Sequence, residues 1–128
     1  MNKRLALLAG VAAVLTMTIP AGAHHSAAMF DFEQEVRLEG TVTRFDYNTP
    51  HSWLYVNVEN DDGTMTEWGI ELGAPPLLRR QGISPRFWEA GDQIVLKTNP
   101  LKDGRPAGHL AGAISGDGKN FGNTEGLE

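Results

Sequence analysis

Four histidines, at positions 24, 25, 51 and 109, are the residues of this 128-residue chain with the most chemistry to offer. His24 and His25 stand in "AGAHHSAAMFDF", directly behind the small residues Ala21-Gly22-Ala23. A cut after Ala23 makes His24 an N-terminus and frees its α-amine. Such an amine titrates near ~8, well below lysine, and is partly deprotonated at neutral pH. Amine and imidazole of one residue then chelate one ion. A third nitrogen, from His25 or His51, completes the T-shaped or square-planar set that suits Cu(II). Glu71 and His109 are candidate outer ligands. The cofactor these residues point to is copper, bound or handled rather than used in turnover. A plainer reading competes. An accessible His-His terminus binds some Cu(II) weakly whatever its role. His51 can fix the turn after Pro50 through a backbone hydrogen bond, and His109 can be an ordinary edge-strand residue. No HxxxH, HExxH or CxxC spacing is present.

A second constellation is aromatic. Trp53 and Tyr55, with Phe45, are expected on the outer face of neighbouring strands, where small β-barrels stack ligands. This makes an interaction module, docking a protein or small ligand without metal, the alternative function. Met29, Phe30 and Phe32 can instead fold over those aromatics and bury them, at roughly 1.5–3 kcal/mol per large side chain. Catalysis has little support: there is no cysteine, no serine-nucleophile motif and no phosphate loop. Glu67 and Glu71, four apart on a strand, stand ~13 Å apart along it, too far for a glycosidase pair.

What brings His24 to a terminus lies upstream. Met1-Asn2-Lys3-Arg4 is basic, and Leu5 to Ile19 is an uncharged apolar run of 15 residues. Pro20 breaks the run before Ala21-Gly22-Ala23. Charged start, apolar middle, breaker and small residues form a secretory signal peptide over 1–23. The run is short for a bilayer span, which needs ~20 residues, and no later stretch supplies an anchor. The expected location is the periplasm or outside the cell, and the expected partner is a metal ion or an envelope protein. Removing 1–23 takes Lys3 and Arg4 from a chain of 11 basic and 16 acidic residues, which deepens its net charge from −5 to −7. Such a charge repels nucleic acid and anionic membrane surfaces.

Residues 24–34 have no clear period and read as an extended arm. From Glu35 the chain alternates. In "EVRLEGTVTRF", Val36, Leu38 and Val42 face one way, and Gly40 suggests a bulge or bend. "WLYVNVEN" is a second strand, with Leu54, Val56 and Val58 inward. Asn60-Asp61-Asp62-Gly63 is a hairpin turn. "TMTEWGIEL" is a third strand, with Trp68, Ile70 and Leu72 inward and Glu67 and Glu71 outward. Pro75-Pro76 open a helix that Gly82 stops. "QIVLKTN" and "HLAGAIS" are the fourth and fifth strands, and 119–128 reads as a frayed tail. The order β-β-β-α-β-β over 35–118 fits a mainly β fold, a small five-stranded OB-like barrel, with a plain sandwich as competitor. In the barrel, the loops that carry His51 and precede His109 share one end, toward which the strand of Glu71 runs.

The motifs along this path resemble a family. They are "AHHS" before Ala27, Phe30-Asp31, "GTVTRF" at 40–45, "NTPHSW" at 48–53 and W-x-I-E-L-G at 68–73. "LLRRQGI" at 77–83, Gly91-Asp92 and "NPLKDGRP" at 99–106 continue them. Together they resemble the domain of unknown function 6152 family of exported bacterial proteins. That family reads N-P-H where this chain has Asn48-Thr49-Pro50-His51, with one residue inserted or shifted. The resemblance implies export and a small β-rich domain, and it brings no established activity.

Overall fold

The computed structural model describes residues 27–128. The 1–23 segment, His24 and His25 lie outside the described residues. Strand β1 is Val36–Asp46, β2 Trp53–Glu59 and β3 Met65–Glu71. Helix α1 is Pro75–Arg80, followed by β4 Gln93–Pro100, β5 Ala107–Ser115 and a short β6 Asn120–Gly122.

The strands pair in the order β3-β2-β1-β4-β5-β6, and β3 also pairs with β5. That last pairing is parallel, Gly69 to Ala107 and Glu71 to His109. It closes five strands into a barrel, the expected OB-like topology, and leaves no open edge on β3 as a sandwich would. Leu54, Val56, Ile70 and Leu96 are fully buried inside it. Each contributes roughly 1.5–3 kcal/mol by leaving water.

Two features of β1 differ from the alternation read off the sequence. The irregularity falls between Val42 and Arg44, where Thr43 is the unpaired residue, and not at Gly40. Gly40 answers a different need, because a Cβ there would run into the carbonyl oxygen of Asn57. The extra residue at Thr43 reverses the facing of everything after it. Phe45, expected outside, therefore pairs with buried Leu54 and packs edge-on against Trp88 at 5.3 Å. Arg44 takes the outer position instead.

Helix α1 begins with prolines at its first positions, where no backbone donor is missed. It ends in a Schellman motif: Ile83 N–H donates to Leu78 O and Gly82 N–H to Arg79 O, with Gly82 at φ +82°. Leu78 and Ile83 are both buried, and the Tyr47 hydroxyl lies 3.0 Å from the carbonyls of Pro75 and Ile83. The helix is thus fastened to the end of β1. Trp88 fills the adjoining core and donates from Nε1 to Ser115 Oγ at 2.9 Å.

The C-terminal residues correct the expectation of a frayed tail. Asn120–Gly122 pairs with Gly112–Ile114 of β5, Phe121 packs on the core, and Leu127 is buried. The apolar Phe121 and Leu127, spaced within a glycine-rich stretch, give this segment something to bury.

Candidate functional site

His51 sits in the loop between β1 and β2, one residue after a cis Thr49–Pro50 bond and one before Ser52, which is fully buried. Ser52 exchanges backbone hydrogen bonds with the chain after β3: its N–H donates to Gly73 O at 3.1 Å, and its O accepts from Leu72 N–H at 2.9 Å. The loop is therefore held against the end of β3, and the His51 side chain reaches Glu71. His51 Nδ1 lies 2.8 Å from Glu71 Oε1. The imidazole is 39% exposed and the carboxylate 7%.

Glu71 keeps the outward facing expected of it, yet it is buried, which corrects its placement on an open face. His51 from one neighbouring loop and His109 from the neighbouring strand stand beside it. His109 is the register partner of Glu71 on β5 and of Asn99 on β4. Its backbone carbonyl accepts from Thr98 Oγ1 at 2.8 Å. Burial pushes the His109 imidazole below the usual histidine value of 6.5; the Glu71 charge opposes that and the His51 charge adds to it. His51, Glu71 and His109, spread over 59 positions of sequence, are thus one electrostatic cluster at one barrel end. Among the described residues no three histidine, aspartate or glutamate side chains form a group able to hold a metal ion by themselves.

Phe30 and Phe32 pack elsewhere than on Trp53 and Tyr55, the covering expected of them. Phe30 is 2% exposed and forms an antiparallel bridge with Leu101, between β4 and β5. Asp31 N–H donates to Pro100 O at 2.8 Å, Lys102 N–H to Met29 O at 3.0 Å, and Asn99 Nδ2 to Gln34 O at 2.8 Å. Phe30 and Phe32 pack on His109, with ring centroids at 5.8 and 5.6 Å. Sequence reasoning missed Asn99 and this destination for the phenylalanines. The signal lay in "TNPL", where a polar residue and a proline end β4 with backbone groups left for another segment.

Trp53 and Tyr55 stack at 6.5 Å and 28° on the outside of β2, both half-buried. Gly69 on β3 lies beneath both rings, which stand at van der Waals distance from where its Cβ would be, 3.6 Å. The Arg44 guanidinium lies 3.5 Å over the Tyr55 ring, and its Nη1 is 3.9 Å from Glu67.

The sequence pattern of a family described as a family of unknown function, DUF6152, matches residues 12–110. The chain belongs to this family. The match takes in β1 to β4 and the first residues of β5, so His51, Glu71 and His109 all fall within the DUF6152 region. No curated protein and no solved structure matches the chain. Among the described residues no helix is long and apolar enough to cross a membrane.

Proposed function

We propose that this DUF6152 protein is an exported metal-binding protein, with copper as its ion, whose site is completed by the histidine freed when residues 1–23 are removed. The His51–Glu71 pair carries this reading. A carboxylate accepts hydrogen bonds, so Nδ1 of His51 holds a ring proton toward Glu71, and in the neutral imidazole Nε2 is then the nitrogen with the lone pair. A carboxylate behind an imidazole in this way fixes tautomer and ring orientation for metal ligation. Glu71 is then the positioning group and His51 the ligand supplied by the barrel. His24 adds amine and imidazole, and His25 a further imidazole. Three or four nitrogens of this kind favour Cu(II) over harder ions.

Reach supports the assembly. Phe30 is pinned beside His109, and five residues separate it from His24. Ala27 to Phe30 is a tight turn, with Phe30 N–H donating to Ala27 O at 3.3 Å. The three steps from His24 to Ala27 therefore supply the reach, up to roughly 10 Å at ~3.3–3.6 Å per residue, about two strand spacings. The alternative, docking of a protein or small ligand through Trp53 and Tyr55, has less in its favour, because Arg44 already covers the Tyr55 ring.

The test is a Cu(II) titration against a competing chelator. One protein begins at His24; a second carries one extra residue before it, which turns the amine into an amide. The protein beginning at His24 is expected to bind at least about tenfold tighter, a difference of ~1.4 kcal/mol. Equal, weak binding by both removes the metal reading.

A further inference from the structure

His109 has been a candidate ligand on the strength of its residue type. Its surroundings give it another task. Three rings form a closed triangle: Phe30 to His109 at 5.8 Å, Phe32 to His109 at 5.6 Å, and Phe30 to Phe32 at 6.1 Å. All three pairs are edge-to-face, at 61°, 63° and 69°. This is the arrangement aromatic rings prefer. Around it the arm's backbone is bonded to the β4–β5 loop on both sides of Phe30, through Asp31 N–H and Met29 O. The backbone of His109 is fixed by Thr98 Oγ1, which donates to its carbonyl, and by its pairing beside Glu71.

We infer that His109 is a positioning residue: its ring is the post on which Phe30 and Phe32 clasp the chain from Met29 to Phe32 to the barrel end that carries His51. The inference rests on the metal reading for its purpose, but the clasp can be measured without metal. Its consequence follows from tethering. A ligand held close to its partner binds as an intramolecular group, with an effective concentration set by the length of free chain. With the clasp closed, the chain is held from Met29 onward. With it open, the free chain extends back toward β1, and the chelate loses affinity although every donor is still present.

The experiment uses the protein beginning at His24 and three variants: H109A, H109F and F32A. Phenylalanine keeps a ring in the triangle and removes both nitrogens. Phe32 is 53% exposed, so F32A loosens the clasp without altering any residue of β5. Amide hydrogen exchange at Asp31 and Lys102 is read in metal-free protein, with Val56 in the core as the control for global stability. Cu(II) affinity is read by the same chelator competition. H109A and F32A are expected to speed exchange at Asp31 and Lys102 by about tenfold, in line with loss of aromatic pairs. Both are expected to weaken Cu(II) binding by a similar factor. H109F is expected to stay within about threefold of the unaltered protein in both measurements. Protected amides in H109A and F32A would show that there is no clasp. Weak Cu(II) binding by H109F with its amides still protected would make His109 a ligand and overturn the inference. Failure of the metal reading itself shows elsewhere, in the equality of free and extended N-termini.

Discussion

Replacing Glu71 by glutamine keeps the side chain's shape and removes its charge. The amide can still accept from His51 Nδ1, but it no longer holds an imidazole that shares its charge with a metal. E71Q is expected to weaken Cu(II) binding by about 10–100-fold, as loss of a carboxylate behind a ligating histidine does; unchanged affinity would deny Glu71 its positioning role. His109 makes a second prediction, in metal-free protein. Its folded pKa lies below the ordinary 6.5, chiefly through burial. Below pH 6.5 the unfolded chain therefore takes up a proton that the folded one refuses, so stability is full above 6.5 and falls as pH drops from there toward the lower folded value. Urea unfolding between pH 7 and pH 5.5 should show this slope, and H109F should flatten it. Residue identity made the candidates legible, since four histidines in an acidic chain without cysteine are few enough to name. Burial at Glu71 was not legible, because what covers it comes from a loop twenty residues earlier and a strand nearly forty residues later.

Each strand of the barrel could be read from alternation, and the register of β3 beside β5 follows from closing the barrel once the helix is placed between the third and fourth strands. The position of the bulge could not. Gly40 looked like the irregular residue and serves a close approach, whereas Thr43 gives no sign in its type of being unpaired. The consequence for Phe45 is a complete reversal of side, as one added residue must cause in a structure of period two. G40A tests the reason given for the glycine. The new methyl group meets the Asn57 carbonyl and the Val56 side chain, both in the adjacent strand. The β1–β2 pair must then part, at a cost of roughly 1–3 kcal/mol, as overpacking generally exacts; chemical denaturation with no loss would show the strand free to move. The C-terminal segment was misjudged from its glycines. Composition marked it as loose, while Phe121 and Leu127 give it enough apolar surface to lie down on β5.

At the scale of the whole molecule, the barrel is a frame that brings distant positions to one end. The β1–β2 loop gives His51, the end of β3 Glu71, the start of β5 His109, and the β4–β5 loop the seat for Phe30. On the proposed reading, removal of residues 1–23 adds the last donors, so that the site is complete only in the processed chain. Binding to the folded form alone stabilises it by mass action, about 2.7 kcal/mol at a free ion concentration 100 times Kd. For a domain of this size that raises Tm by roughly 10 °C or more. The protein beginning at His24 should show the rise with Cu(II), and the extended protein should show little.

The most direct test counts nitrogens on the metal. Electron paramagnetic resonance of one equivalent of Cu(II), with His24 at the N-terminus, should show nitrogen hyperfine structure from at least three donors, and H51A should lose one of them. A spectrum that H51A leaves unchanged would show that the barrel contributes nothing to the ion, and it would contradict the site proposed here.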